Sequence, residues 1–194
     1  MARDALILTH GAGGNRDSRI LLAVDAIFAE AGYLVERINL PFRELRPKGP
    51  PRVNEAVRNR EALHQAVAAL SQRVSGRILL GGQSYGGRQA SILASGHPRL
   101  VDGLLLLSYP LHAPGKPGSL RTGHFPDLQT PALFVIGTKD PFGSPAELDE
   151  ARKAIPARND AVVVAGAGHD LKKGNGWDLA PLVSFFGEDQ PAHE

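Results

Sequence analysis

The sequence predicts an open α/β sandwich: about six mostly parallel strands in one sheet, with helices on both faces. Three observations carry that expectation. Short apolar runs rich in Leu, Ile and Val recur with little polar alternation, the pattern of strands covered on both faces. Helical patterns separate most of these runs, which calls for right-handed crossovers between parallel strands. The two longest irregular stretches each follow a strand, where loops of an open α/β sheet build a ligand site.

The elements follow in order. Asp4–Thr9 is the first strand, and Ser18–Ala31 carries helical spacing. Leu34–Leu40 is the second strand. Pro41–Pro51 holds four prolines and a glycine and reads as a loop. Asn54–Val74 is the clearest helix, with Val57, Ala62, Leu63, Ala66, Val67 and Leu70 recurring at helical spacing between Arg, Glu and Gln. A third strand, Arg77–Gly81, leads into a helix over Gly86–Ser95. Gly103–Ser108 and Ala132–Gly137 are the next strands, joined by Tyr109–Pro131, a stretch with five prolines, three glycines and almost no periodicity. Loops that long inside a compact domain are usually functional. Pro145–Ile155 reads as a helix, Ala161–Ala165 as a sixth strand and Leu179–Phe186 as a last helix.

Composition bounds the function. A chain of 194 residues with 42 % hydrophobic and 22 % charged residues is expected to form a single domain over residues 1–194. There is no cysteine, so disulfides, thiolate catalysis and cysteine-ligated zinc are excluded. The pI near 9.1 reflects sixteen arginines, yet the net charge is only +2, too small a field to imply nucleic acid. No apolar run approaches membrane-spanning length, and the first residues lack a signal-peptide pattern, so a cytoplasmic protein without membrane attachment is expected. The histidines show no paired metal-ligand spacing, and no metal or other cofactor is expected.

The strongest local signal is Gly82-Gln83-Ser84-Tyr85-Gly86, a G-x-S-x-G pentapeptide. It follows a strand directly and opens a helix of small residues (Gly86, Gly87, Ala90, Ser91, Ala94). A sharp strand-to-helix turn that exposes a serine needs such neighbours, because strand and helix must approach closely. A serine hydroxyl is a weak nucleophile and needs a base, which needs an orienting acid. Asp140 leaves the end of the strand Ala132–Gly137 and suits the acid; His169 leaves the next strand and suits the base. The order Ser, Asp, His is the one such a turn requires. Asp170 is a competing acid, but it adjoins His169 and reaches its imidazole poorly. Taken singly, Asp140 also reads as a turn residue before proline and His169 as an ordinary loop histidine. Two backbone amides should hold the oxyanion: that of Tyr85, after the serine, and that of Ala12, in His10-Gly11-Ala12-Gly13-Gly14. Phosphate binding by that loop fails, since Gly11-Ala12-Gly13-Gly14-Asn15-Arg16 lacks the sixth-position Gly or Ala of a dinucleotide fingerprint. Gly82 to Arg88 has P-loop glycine spacing but places Arg88-Gln89 where Lys and Ser/Thr are required.

These residues resemble the α/β-hydrolase superfamily, in particular its small dienelactone-hydrolase-like members and the testis-expressed α/β-hydrolase-like group. The likeness runs from His10-Gly11-Ala12-Gly13-Gly14 through Gly82-Gln83-Ser84-Tyr85-Gly86-Gly87-Arg88 and Ser108-Tyr109-Pro110-Leu111-His112 to Gly137-Thr138-Lys139-Asp140-Pro141 and Gly168-His169. It implies Ser84 as nucleophile, Asp140 as acid and His169 as base, in agreement with the residue-level reading. Dienelactone hydrolase itself uses a cysteine, absent here, so its lactone substrate is not implied. The first strand resembles the family's third, which makes this a minimal version of the fold with sheet order 2-1-3-4-5-6 and no cap domain.

The expected activity is that of a serine hydrolase cleaving a small-molecule ester, thioester or lactone. His10, Tyr109, His112, Arg121 and Phe142 are expected on the substrate side. Around the site the loops carry Arg88, His112, Lys116, Arg121, His124, Lys139, Lys172 and Lys173, some of which either bind a carboxylate or phosphate on the substrate or are solvated loop charges. Two rival functions share the same sequence: an acyltransferase using the same three residues, and a non-catalytic interaction protein on a hydrolase fold. Oligomeric state is not legible.

Overall fold

Leu, Ile and Val crowd the centre of the sheet because its middle strands are buried on both faces. The computed structural model describes residues 3–172 and 177–187. Its elements are β1 (Ala5–Thr9), α1 (Arg19–Glu30), β2 (Leu34–Ile38), α2 (Pro41–Leu45), α3 (Ala56–Ser71), β3 (Ile78–Gln83), α4 (Tyr85–Gly96), β4 (Gly103–Leu107), β5 (Ala132–Gly137), α5 (Pro145–Arg152), β6 (Asn159–Val164) and α6 (Ala180–Gly187). The strands form one sheet in the order β2-β1-β3-β4-β5-β6, every neighbour parallel. That is the expected order.

Alternation sends successive side chains to opposite faces. Ala5 and Ile7 of β1 and Leu104 and Leu106 of β4 join one core layer, with Leu63 and Leu70 of α3, Ala90 and Leu93 of α4 and Leu148 of α5. Leu6, Leu8, Leu105 and Leu107 face the other layer, with Leu21, Val24 and Phe28 of α1 and Leu182 and Phe186 of α6. The edge strands depart from the expectation of burial on both faces: every residue of β2 is partly exposed, and β6 is buried only at Val164. An edge has no neighbour on one side, which is why Glu36, Arg37, Asn159 and Asp160 are tolerated there.

Several boundaries differ from those read in the sequence. Pro41 starts the short helix α2 rather than a loop, since proline at a first helical position gives up no intrahelical bond. β3 runs on through Gly82 to Gln83, so the serine follows it with no spacer. Between β4 and β5 the described chain contains one short 3-10 turn, Phe125–Asp127, and no cap helix.

Candidate active site

Where β3 ends, the chain turns so sharply that Ser84 adopts φ 51°, ψ −114° before α4 begins at Tyr85. A non-glycine residue in the positive-φ region is strained, and the surroundings must hold it there. Ser84 N–H donates to Leu107 O of β4 (2.7 Å), and Arg88 N–H donates back to Ser84 O (3.0 Å). Glycines make room. A Cβ on Gly86 would stand 2.6 Å from His10 O, and one on Gly87 2.6 Å from Gly82 O.

The β5 and β6 loops meet this turn. Lys139 N–H donates to Ala167 O (2.9 Å) and Gly166 N–H to Thr138 Oγ1 (2.8 Å), which ties the two loops together. His169 Nδ1 lies 2.8 and 2.9 Å from the two Asp140 carboxylate oxygens, and its Nε2 lies 2.8 Å from Ser84 Oγ. The carboxylate also accepts from Phe142 N–H (2.9 Å), and its side chain is 1 % exposed. An acceptor-only carboxylate requires the proton on Nδ1, which leaves Nε2 to accept from the serine hydroxyl. Phe142 lies over the imidazole, with ring centroids 4.2 Å apart.

Ser84 and His169 line a cleft of about 680 Å³, walled by Gly11–Gly14, Pro50–Val53, Tyr85, Arg88, Gln89, Pro110, Arg121 and Phe142. Ala12 and Tyr85 both border it. Tyr85 opens α4, so its amide is one of the first-turn donors without an intrahelical acceptor. The Tyr85 side chain is anchored in the wall: its hydroxyl accepts from Asn59 Nδ2 (2.9 Å), and its ring meets Phe42 edge-on.

Of the five residues expected on the substrate side, Arg121 and Phe142 reach the cleft and three do not. His10 is fully buried: Nε2 accepts from Leu40 N–H (3.1 Å) and Nδ1 donates to Gly11 O (2.8 Å). Burial, the largest cause, and the Arg43 charge lower its pKa, partly offset by the bond to Gly11. It pins the Ala12 loop to the end of β2 as a neutral ring. Tyr109 packs on Phe125 and Phe134, and its hydroxyl donates to Arg121 O (2.7 Å). His112 donates from Nδ1 to Ala113 O (2.8 Å), with Nε2 3.4 Å from Glu147. The His10 ring and the Tyr109 hydroxyl are satisfied within the fold, whereas His112 Nε2 is buried without a hydrogen-bond partner. Among the expected loop cations, Lys173 lies outside the described residues.

One residue escaped the sequence reading. Arg43, 6 % exposed, donates from Nε to Gly14 O (2.7 Å), from Nη1 to Arg46 O (3.1 Å), and from Nη2 to Ala12 O (2.8 Å) and Gly49 O (3.1 Å). It clamps the Ala12 loop against the proline-rich stretch. No motif marks it; an arginine between prolines looks solvated until the fold closes around it.

The sequence profile of the alpha/beta hydrolase domain matches residues 2–179. The chain belongs to the alpha/beta hydrolase family. Solved structures of similar fold include dienelactone hydrolase from Anabaena variabilis, 18 % identical, with TM-score 0.72 and coverage of 96 % of this chain and 85 % of that one. The protein DcsB, solved with a substrate analogue, is 16 % identical over 96 % of this chain and 91 % of its own, with TM-score 0.77. Est1E from Butyrivibrio proteoclasticus is 15 % identical over 96 % and 86 %, with TM-score 0.69. At these identities the likeness is one of fold. The present chain has six strands in its sheet and, among the described residues, no cap helix between β4 and β5.

Proposed function

We propose that the protein is a serine hydrolase acting on a small carboxylic ester, thioester or lactone. The observation that carries this reading is the unbroken chain from Asp140 through His169 to the Ser84 hydroxyl, set on a strained turn that opens into the cleft. A structural serine has no use for that strain.

In the proposed mechanism His169 Nε2 takes the Ser84 proton as Oγ attacks the substrate carbonyl, and Asp140 holds the ring and favours the imidazolium that forms. The Ala12 and Tyr85 amides receive the oxyanion. Each such donor is worth about 2.7–4 kcal/mol to the transition state. Collapse expels the alcohol or thiol, protonated by His169. Water, deprotonated by the same ring, then attacks the acyl-enzyme, and the acid is released as His169 returns that proton to Ser84 Oγ. Every proton is accounted for within the three residues and water.

The test is intact mass after treatment with a fluorophosphonate, for the parent and Ser84→Ala. A single adduct on the parent, absent from the variant, is expected, and Asp140→Asn should slow both labelling and ester turnover by about 10⁴. A folded parent that stays unlabelled overturns the reading.

A further inference from the structure

The cleft beside Ser84 carries charge of one sign. Arg52, Arg88 and Arg121 line it, and no aspartate or glutamate does. Arg88 stands one turn beyond the serine on α4. Its Nε is enclosed without a hydrogen-bond partner. Among the described residues neither Arg88 nor Arg121 forms an ion pair with a carboxylate. Arg121 is held by its backbone, its N–H donating to Leu111 O (2.7 Å) and its carbonyl accepting from the Tyr109 hydroxyl.

The neighbouring groups leave this charge unanswered. Glu55, two residues beyond the lining residue Val53, is gripped by both Arg46 amino groups at 2.7 Å, and the Asp140 carboxylate is taken by His169 and by Phe142 N–H. His124, bound to Ser91 Oγ (2.8 Å), has its pKa pushed down to about 4 by burial and by Arg88, so it adds no positive charge at neutral pH. Arg60 spends a donor on Gln89 Oε1 (2.8 Å). Burial first, and then the Arg88 charge, push the Arg121 pKa below its usual value, with only the Tyr109 phenol acting the other way. Two partly dehydrated guanidiniums facing one cavity repel each other, and an anion between them would reverse that cost. Loop cations serving only solubility would point to water.

We propose that Arg88 and Arg121 form a subsite for an anionic group, a carboxylate or phosphate, carried by the substrate that Ser84 attacks. Arg52, exposed at the rim, adds attraction for such a substrate at a distance. The guanidinium fork suits either anion through paired hydrogen bonds. Apolar Pro50, Pro51, Val53 and Phe142 line the same cleft, which leaves room for an uncharged part of such a substrate. The inference rests on the serine-hydrolase reading for the attack, but the binding does not.

Calorimetric titration of Ser84→Ala with monomethyl adipate and with dimethyl adipate isolates the binding. The monoanion should bind at least tenfold tighter, less so as NaCl is raised, and the preference should vanish when Arg88→Gln or Arg121→Gln is added. Butyl phosphate and pentanoate, titrated in the same way, separate the two anions: the tighter one names the group. In the active protein, the kcat/KM ratio of 4-nitrophenyl monoadipate to 4-nitrophenyl hexanoate should exceed ten and fall towards one in either Gln variant. Equal affinity for the monoanion and the neutral diester overturns the subsite. Fluorophosphonate labelling of the same parent preparation keeps the two failures apart: an unlabelled parent that still prefers the monoanion loses the nucleophile and retains the subsite.

Discussion

Arg43 offers the sharpest quantitative test of how the Ala12 loop is held. Its guanidinium meets four carbonyls and, among the described residues, no carboxylate. Hydrogen bonds from a charged donor contribute about 1.5–3 kcal/mol each. Arg43→Met removes all four. The two short ones, to Gly14 O and Ala12 O at 2.7 and 2.8 Å, alone set a loss of about 3–6 kcal/mol, reduced where water enters. At about 2–4 °C per kcal/mol for a chain of this size, a loss near 3 kcal/mol lowers Tm by about 6–12 °C. The catalytic consequence is separate. A displaced Ala12 amide costs one oxyanion donor, about 10²–10³ in kcat, with KM little changed because that interaction strengthens only in the transition state. Arg43→Lys keeps the charge but cannot span four acceptors, so it should recover part of the stability and little of the rate. The assay is steady-state ester hydrolysis with urea unfolding of the same samples, below the variants' melting range. A folded Arg43→Met protein with kcat within threefold of the parent would refute the argument, since the amide would then keep its place without the clamp.

Three further outcomes follow from the same geometry. Ser84→Gly should be more stable than Ser84→Ala by about 1 kcal/mol, because relief of the positive φ exceeds the entropy of glycine in the unfolded chain; equal Tm values would mean the turn is unstrained. Gly86→Ala should lose about 1–3 kcal/mol and slow fluorophosphonate labelling, since the new Cβ presses on His10 O and Thr9 Cγ2 at 2.6 and 2.7 Å; a rise in Tm would contradict the close approach of α4 to β1. His124 has a folded pKa near 4, below its ordinary 6.5, chiefly through burial. The unfolded chain therefore takes up its proton first: the contribution is complete above pH 6.5 and is lost as pH falls from 6.5 towards 4. His124→Gln should flatten Tm against pH in that window, and parallel curves for parent and variant would count against a buried neutral ring.

Strands and pentapeptide are local features, and the sequence alone was enough for them. Apolar runs announce β1, β3, β4 and β5 because β1, β4 and β5 are buried over their whole length and β3 up to Gln83; G-x-S-x-G and the later Asp140 and His169 announce a site because each sits at a strand end. The edges β2 and β6 were less legible in their extent, since half-exposed strands mix Glu, Arg and Asn into the apolar pattern. Helix α2 was hidden by the prolines around it, although Pro41 takes its first position rather than breaking it.

Long-range contact decided the rest. His10, Tyr109 and His112 sit beside the motifs in the chain, yet each ring turns away from the cleft to satisfy a backbone or carboxylate group elsewhere. Arg43 and Gly14 are 29 residues apart, and Asp140 and His169 are equally far apart. Which polar side chains serve a ligand and which serve the fold depends on where unpaired carbonyls and amides fall once the sheet has formed. Sequence spacing carries the order of strand ends around a parallel sheet, and so the identity of Ser84, Asp140 and His169. The direction each side chain takes from those ends is set by burial and hydrogen bonding among distant residues, and only the tertiary structure contains it.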